Sequence, residues 1–239
     1  MSKQRLDRTV AARQLTGTRS QAESYIKLGR VEVNGEIVDK PGFLVADDDD
    51  IRLTGAEQYV SRAGLKLASV SQALHLDFSG KTVLDVGSST GGFTDYALHH
   101  GAARVIAVDV GTEQLHASLR TDPRVELHEK TDIRDFSPDG SVDIVLIDVS
   151  FISLREILPA VVRIIDTGTR VVAMVKPQFE AAHSNLKHKG VVKNDRMRRD
   201  ILDSFEGWAM GRLVIVDKAD SQVSGAKGNR ERFYLLQKA

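Results

Sequence analysis

Two lysines and two acids in this chain of 239 residues stand where catalytic groups would be needed. Asp148 and Lys176 each directly follow an apolar stretch of the kind that forms a buried strand. Glu231 begins the last such stretch, and Lys66 lies on a helical stretch before the first one. The carboxyl ends of parallel strands meet at one sheet edge, where ligands bind. We therefore expect the four side chains to share one crevice if the last strand runs antiparallel.

A glycine-rich segment adds a ligand site at the same edge. It reads Val83-Leu-Asp-Val-Gly-Ser-Ser-Thr-Gly-Gly-Phe-Thr, an apolar strand that runs through glycines into a helix. Glycines let the backbone turn sharply and approach a ligand, and the start of a helix offers free N–H groups. Asp109 ends the next apolar stretch, 22 residues after Gly87. An acid near that spacing commonly holds ribose hydroxyls.

The spacing within this segment discriminates among nucleotide ligands. Gly87 and Gly92 resemble the start of a phosphate-binding P-loop, but Phe93 stands where that loop needs a lysine. Ser89 stands where the dinucleotide pattern needs its second glycine. Asp85, at the end of the strand, suits a zwitterionic amino acid moiety. The combination favours S-adenosylmethionine over NAD, and over a plain turn without a ligand.

Two lysines and two carboxylates suit the methylation of a ribose hydroxyl. The hydroxyl must lose its proton as it attacks the methyl group, and a lysine can accept that proton when its pKa falls well below ~10.4. A second lysine and the sulfonium of the cofactor both lower such a pKa. The carboxylates raise it, so their main role would be orientation. Taken singly, each residue is equally typical of a surface charge or a strand-end cap, so their joint placement carries the hypothesis.

The elements that must position these residues alternate along the chain. Apolar strands are predicted at residues 82–86, 105–109, 125–128, 144–148, 170–175, 213–216 and 233–236. Helical stretches, among them residues 60–74 and 93–100, separate most of them. This alternation predicts an α/β fold with a Rossmann-like, doubly wound, mostly parallel sheet. We also expect the last strand to be antiparallel, the direction in which Glu231 would lie at the ligand-binding edge.

The first part of the chain has a different pattern. Residues 5–16 are predicted to form a helix, and Ser20 is predicted to cap a second helix, with Glu23 completing a capping box. That helix should stop at Gly29, and a strand should then enter the Asn34-Gly35 hairpin turn. We predict a small α+β domain at residues 1–57, a hinge near residues 54–58 and a catalytic domain at residues 58–239.

Composition narrows the class further. The net charge is zero. There are no cysteines, so disulfides and thiolate metal sites are excluded. We expect no metal, no membrane segment and a cytoplasmic location. Basic residues nevertheless cluster within residues 1–30 and 187–199, and local patches matter more to a phosphate backbone than net charge does. The second cluster is equally typical of a solvated surface.

Five segments resemble the TlyA, or hemolysin A, family of ribosomal RNA methyltransferases: Tyr59-Val-Ser-Arg-Ala-Gly-Leu-Lys-Leu, Leu84-Asp-Val-Gly-Ser-Ser-Thr-Gly-Gly-Phe-Thr-Asp, Val108-Asp-Val-Gly-Thr-Glu-Gln-Leu, Ile147-Asp-Val-Ser-Phe-Ile-Ser-Leu and Val175-Lys-Pro-Gln-Phe-Glu. The resemblance covers nearly the whole chain. It implies an FtsJ-like domain that methylates ribose 2′-oxygens, most typically of cytidine, in ribosomal RNA or ribosomal subunits. It also implies an N-terminal RNA-binding domain like that of the S-four ribosomal protein.

The resemblance also implies roles for particular residues. Lys66, Asp148, Lys176 and Glu231 would form a catalytic tetrad, with Lys176 as the base. The cofactor would be lined by Asp85, Gly87, Ser89, Thr90, Gly91, Gly92, Phe93, Asp109 and Asp132. RNA would be faced by Arg5, Arg19, Gln21, Lys27 and Arg30. The sequence departs from the family at Ala63, where a glycine is usual, and around Glu231, where the motif is more charged.

Three other functions stay open from the sequence. A membrane-active hemolysin is one, although no amphipathic or spanning segment of the required kind is evident. An RNA-binding protein with an inactive methyltransferase domain is another, and a small-molecule methyltransferase is the third. The last would leave the basic N-terminal helices without a purpose. The modified nucleotide and the oligomeric state are not specified by the sequence.

Overall fold

A computed structural model describes residues 3–54, 59–183, 190–225 and 228–239. The predicted boundary between residues 57 and 58, most of the predicted hinge, and Lys187 and Lys189 of the second basic cluster lie outside these ranges.

The N-terminal unit is a small α+β arrangement. Its elements are β1 (Gln4–Arg5), α1 (Leu6–Ala12), α2 (Arg19–Lys27), β2 (Val31–Val33), β3 (Glu36–Ile37), β4 (Leu44–Val45) and β5 (Ile51–Leu53). Strands β3, β2 and β5 form an antiparallel sheet, and β1 pairs with β4. Leu6, Val10, Ile26 and Val31 are fully buried between the helices and the strands. The N-terminal α+β prediction is confirmed.

Helix α2 begins two residues earlier than predicted. Thr18 is its N-cap: its side chain accepts a hydrogen bond from Gln21 N (3.2 Å), and Gln21 Oε1 accepts one from Thr18 N (3.1 Å). The prediction of Ser20 and Glu23 as the capping box is therefore wrong. Both pairs have the right spacing, but glutamine completes the reciprocal box at Thr18, and Glu23 instead pairs with Lys27.

The first helix is shorter than predicted and the hairpin is as predicted. Helix α1 ends at Ala12, and Gln14 has a φ of 56°, which a helix cannot accommodate. Asn34 and Gly35 have φ values of 54° and 83°, the left-handed pair that a tight two-residue hairpin requires. Helix α2 ends at Lys27, before Gly29.

The catalytic unit has the predicted alternation of strands and helices. Its elements are α3 (Arg62–Ser71), β6 (Thr82–Val86), α4 (Gly92–His99), β7 (Arg104–Val108), α5 (Ala117–Arg120), β8 (Val125–His128), β9 (Ile144–Ile147), α6 (Leu154–Ile164), β10 (Arg170–Val175), α7 (Pro177–Glu180), α8 (Asp195–Ala209), β11 (Leu213–Asp220) and β12 (Arg232–Lys238). Within the described ranges, seven strands form one sheet in the order β11-β12-β10-β9-β6-β7-β8.

Strand direction in this sheet follows the prediction. Strands β8, β7, β6, β9 and β10 are mutually parallel. Strand β12 is antiparallel to β10, and β11 is antiparallel to β12. The mostly parallel α/β sheet with an antiparallel last strand is therefore confirmed. The register pairs Val175 with Arg232, which brings Glu231 to the same sheet edge as Lys176.

Both faces of the sheet are covered by helices. Alternate residues of each central strand enter different cores, as Val83 and Leu84 do on β6. One core contains Leu65 and Phe93 from α3 and α4 and continues into the apolar residues of the N-terminal unit. The other contains residues of α6 and α8.

Polar contacts also join the two units. Gln21 Nε2 donates a hydrogen bond to Tyr59 O (3.4 Å), and Val60 N donates one to Asp95 Oδ2 on α4 (2.7 Å). Helices α2 and α3 are in contact. The N-terminal unit is thus attached to the segment that begins α3, and that segment is itself bonded to α4, the helix that follows the glycine-rich loop.

Candidate active site

A crevice opens where strands β6 and β9 lie side by side. The chain leaves β6 toward one edge of the sheet and leaves β9 toward the other, which is the switch point at which open α/β sheets bind ligands. A cleft of about 490 Å³ lies there, lined among others by Gly87, Ser89, Asp109, Asp132 and Asp148. A second cleft of about 130 Å³ adjoins it, sharing Gly87, Ser89, Asp148 and Ser150, and is also lined by Asp85, Thr90, Gly92, Phe93 and Lys176.

The glycines of the loop have distinct reasons to be glycine. Gly87 has a φ of 81°, and a Cβ atom there would lie 2.8 Å from the backbone oxygen of Asp148. Gly91 has a φ of 91°, and a Cβ atom would collide with Leu119 at 2.3 Å. Gly91 lines neither cleft and instead lets the loop pack against Leu119 of α5. Because Gly87 has no side chain, the segment that follows β6 can approach the backbone of Asp148, which follows β9.

Asp85 is buried at the bottom of the smaller cleft. Its Oδ2 accepts hydrogen bonds from Thr94 N (2.9 Å) and Thr94 Oγ1 (2.7 Å). Its Oδ1 is buried and has no hydrogen-bond partner among the described residues. Burial, with smaller contributions from the charges of Asp148 and Asp109, raises the pKa of Asp85 to about 7, against the opposing bonds from Thr94. A cationic donor in the cleft would satisfy Oδ1 and favour the charged carboxylate.

Asp109 and Asp132 both line the larger cleft, half-buried. Asp109 Oδ2 accepts from Ser89 N (2.8 Å), and Oδ1 accepts from Gly111 N (2.6 Å), so this carboxylate joins the end of β7 to the glycine-rich loop. Asp132 forms an ion pair with Arg134 (2.6 Å). This ion pair holds the pKa of Asp132 below its usual range, so the carboxylate stays charged in the cleft.

Lys176 and Asp148 form an ion pair at the edge of the smaller cleft. Lys176 Nζ lies 2.6 Å from Asp148 Oδ1 and 2.7 Å from Ser150 Oγ. The contact with Asp148 is an ion pair by distance, without the angles of a hydrogen bond. The side chains of Lys176 and Asp148 are 10% and 16% exposed, so both are reachable but mostly shielded from water.

Lys66 and Glu231 form a second ion pair, with Nζ 2.5 Å from Oε2 and side-chain exposures of 11% and 3%. Lys66 lines a third cleft of about 360 Å³, together with Thr18, Gln21 and residues 60–63. Ala63 lines both this cleft and the one that contains Lys176. The four predicted catalytic residues thus form two ion pairs: Asp148 and Lys176 line the smaller cleft, Lys66 lines the third cleft, and Glu231 is buried.

The residues predicted to face RNA have intramolecular partners in most cases. Arg5 and Arg19 both bind Asp7, Gln21 caps α2, and Lys27 pairs with Glu23. Arg30 is half-buried at the end of α2. In the second basic cluster, Arg198 is buried, binds Asp220 (2.6 Å) and donates to Arg230 O (3.0 Å), so its role is structural. Arg196 and Arg199 are exposed.

Two residues near the site were missed by the sequence analysis. Phe151 is 91% exposed with a φ of 67°, an unusual backbone conformation for a bulky residue, and its ring centroid lies 5.4 Å from that of Phe179. Glu180 is buried and accepts hydrogen bonds from Ser153 Oγ and Leu154 N, both at 2.7 Å. Phenylalanine beside a strand is typical of a core residue, so no local pattern indicated that Phe151 is exposed.

The fold and the site agree with the families that the sequence matches. Residues 59–238 match the FtsJ-like methyltransferase family, and residues 4–51 match the S4 domain. The chain belongs to the FtsJ-like methyltransferase family. A relative in Mycobacterium tuberculosis, named 16S/23S rRNA (cytidine-2'-O)-methyltransferase TlyA, is 38% identical over 97% of this chain and 89% of its own length.

Relatives of this FtsJ-like methyltransferase carry two kinds of name. The protein named Hemolysin A in Brachyspira hyodysenteriae is 36% identical over 95% of this chain and 97% of its own length. A solved structure from Streptococcus thermophilus that carries the name hemolysin is 38% identical, with a TM-score of 0.72, and covers 100% of this chain and 90% of its own. None of the helices in the described ranges has the length and apolar character that a membrane crossing requires.

Proposed function

We propose that this protein transfers a methyl group from S-adenosylmethionine to the 2′-hydroxyl of a cytidine ribose in ribosomal RNA. The observation that carries the proposal is the Lys176–Asp148 ion pair beside the cleft of the glycine-rich loop. It places a lysine amine and a carboxylate within reach of one reacting hydroxyl. The names of the TlyA relatives support the choice of ribosomal RNA and cytidine.

The clefts fit S-adenosylmethionine in size and in donor chemistry. A volume of about 490 Å³ with 130 Å³ adjoining is in the range of small-molecule sites. The unpartnered Oδ1 of Asp85 suits the α-ammonium group, and Asp109 suits the ribose hydroxyls. We infer that Gly87, Ser89, Thr90, Gly91, Gly92, Phe93 and Asp132 complete or support this site. When bound, the cofactor supplies an electrophilic methyl group.

The residues beside this site can activate the ribose hydroxyl. Lys176 Nζ first releases its ammonium proton to solvent, and the neutral amine then accepts the proton of the 2′-hydroxyl while the oxygen attacks. Asp148 holds the amine in place and stabilises the ammonium group that forms, and Ser150 fixes its direction. Lys66, held by Glu231 in the adjoining cleft, binds the phosphate that flanks the reacting ribose.

We infer that the RNA site extends beyond this pair. Phe151 presents an almost fully exposed ring next to Ser150, and we infer that an unstacked base stacks on it. We also infer that the S4 domain contributes Arg5, Arg19, Gln21, Lys27 and Arg30. It adjoins the cleft of Lys66 through Thr18 and Gln21.

The test is transfer of a labelled methyl group to ribosomal RNA or subunits that lack the modification, followed by mapping of the product. We expect one or few 2′-O-methylcytidines with the wild-type protein and none with Lys176→Ala. Lys81→Ala is the matched control, since Lys81 is a partly exposed lysine of the same domain that lines none of the three clefts. Methylation of a base, or no transfer to RNA accompanied by leakage of liposomes, would contradict the proposal.

A further inference from the structure

A buried carboxylate lies beneath two exposed arginines in the S4 domain. The Asp7 side chain is completely buried, while those of Arg5 and Arg19 are 44% and 51% exposed. Arg5 donates from Nε to Oδ1 (3.0 Å) and from Nη2 to Oδ2 (3.1 Å). Arg19 donates from Nε (2.9 Å) and Nη2 (2.8 Å) to Oδ2. One carboxylate therefore holds the guanidinium groups of two arginines that are 14 residues apart in the chain.

The arrangement leaves the same atom of each arginine available. Both guanidinium groups use Nε and Nη2 on Asp7, and neither Nη1 has a hydrogen bond to the described residues. Gly42 lies beside Nη1 of Arg5, where a Cβ atom would approach it to 3.1 Å. Two half-exposed guanidinium groups with free donors and fixed planes match the oxygens of a phosphate group.

A structural role alone does not account for this geometry. Burying a carboxylate needs a compensating charge, and one bidentate arginine already supplies it. Asp7 also accepts a hydrogen bond from Arg8 N (3.0 Å), so its oxygens are well satisfied before the second arginine is counted. The second arginine is therefore not needed to neutralise Asp7. Its effect is to place a second cation beside the first on the surface.

The position of the pair suits a substrate strand that leads to the catalytic cleft. Arg19 directly follows Thr18, which lines the cleft of Lys66, and Ala63 connects that cleft to the one of Lys176. A phosphate held at the arginine pair would therefore fix the register of the strand relative to the reacting ribose.

We propose that Asp7 is a positioning residue for RNA recognition, which holds Arg5 and Arg19 together as a clamp for the phosphate backbone. This inference rests on the proposed function, since it requires RNA as the partner. Asp7 itself contacts no RNA. Its contribution is to fix two flexible side chains before binding, which removes most of the entropy cost of ordering them in the complex.

Removing the charge of Asp7 distinguishes a positioning role from simple electrostatic attraction of RNA, because the two predict opposite changes in RNA affinity. Asp7→Asn removes a negative charge from the RNA-facing domain, so attraction alone predicts tighter RNA binding. Positioning predicts about tenfold weaker binding, the cost of ordering two long side chains. Asp39→Asn is the matched control, because Asp39 is an exposed acid of the same domain and the substitution makes the same charge change. It should bind RNA as tightly as the wild type or slightly more tightly.

The experiment measures the dissociation constant of unmodified in-vitro-transcribed ribosomal RNA for wild type, Asp7→Asn and Asp39→Asn over a range of salt concentrations. Unfolding temperature and cofactor affinity are measured on the same samples to establish that the variant is folded. If Asp7→Asn does not fold, Arg5→Lys and Arg19→Lys take its place. A lysine keeps the charge but cannot form the forked hydrogen bonds with Asp7, so each variant should bind RNA about threefold more weakly or worse.

The outcomes separate this inference from the proposed function. Weaker binding by folded Asp7→Asn, or by both lysine variants, supports the clamp. Folded Asp7→Asn that binds RNA as tightly as Asp39→Asn, or lysine variants that both bind as tightly as the wild type, overturn the clamp and leave the proposed function in place. Wild-type protein that binds no RNA, alone or in ribosomal subunits, overturns both.

Discussion

Lys176 and Asp148 lie at the carboxyl ends of neighbouring parallel strands, with Nζ 2.6 Å from Oδ1. Each belongs to a segment that turns away from the sheet immediately afterwards, and Glu180, four residues after Lys176, binds the segment that follows Asp148. The ion pair is thus held from both sides. An amine held in this way can reach the same hydroxyl in every turnover.

Replacing Lys176 by arginine tests whether the residue acts as a base or only as a cation. Arginine keeps the charge and the partner Asp148 but does not release a proton in proteins. We expect Lys176→Arg to lower the single-turnover rate by about 10² or more, as Lys176→Ala should, because general-base catalysis contributes on that scale. Cofactor affinity, measured by calorimetry, should change little. A variant with near-normal turnover would refute the role of base.

Variants of the Lys66–Glu231 ion pair should distinguish its contribution to stability from its contribution to activity. Glu231→Gln leaves a mostly buried lysine charge without its partner, and we expect a loss of about 2 kcal/mol in the free energy of unfolding. Adding Lys66→Met removes that charge and should restore part of the stability. Methylation should stay low in the double variant, since it lacks the cation that we propose binds the phosphate. Recovered activity in the double variant would assign the pair a purely structural role.

The raised pKa of Asp85 predicts that the affinity for the cofactor depends on pH. Its pKa of about 7 in the free protein means that the carboxylate is largely protonated below that pH. The α-ammonium group favours the charged form, so affinity should rise with pH by up to about tenfold per unit below pH 7 and level off above it. Calorimetry in buffers of different ionisation enthalpy should detect the released proton. Asp85→Asn should bind more weakly with a flat pH profile; a wild-type profile that is already flat would contradict the assignment.

The same carboxylate affects the stability of the free protein in the opposite direction. The folded pKa lies above the ordinary value of 3.8, so the folded state binds the proton more tightly than the unfolded chain does. The contribution of Asp85 to stability is therefore present below about pH 3.8 and is lost as the pH rises toward 7. Asp85→Asn should remove this trend from urea unfolding curves.

Phe151 should affect activity without affecting stability. Its ring is 91% exposed, so Phe151→Leu removes little buried surface and should leave the unfolding temperature unchanged. If a base stacks on the ring, the loss of about 1–3 kcal/mol of stacking should lower RNA methylation at least fivefold. Phe151→Tyr keeps the aromatic face and serves as the control. Equal activity of the leucine and tyrosine variants would exclude stacking.

The sequence by itself determined the elements of the fold and the sheet edge at which the site lies. The continuous apolar runs of the strands, the glycine-rich loop after β6 and the acids at strand ends are local patterns, and local patterns suffice to predict strands and their carboxyl ends. An antiparallel last strand was the condition under which Glu231 would reach that edge, and the register of Val175 with Arg232 has that direction.

Only the tertiary structure decided which side chains bind each other and which side chains are buried. Thr18 and Ser20 both have the spacing of a helix cap, and the choice depended on a reciprocal bond from Gln21. Arg198 belongs to a basic run yet is buried against Asp220, and Phe151 looks like a core residue yet is exposed. The pairing of Arg5 and Arg19 on Asp7 likewise joins residues of β1, α1 and α2. The energy of a charge depends on burial and on partners that are distant in sequence, and these are set by packing rather than by local pattern.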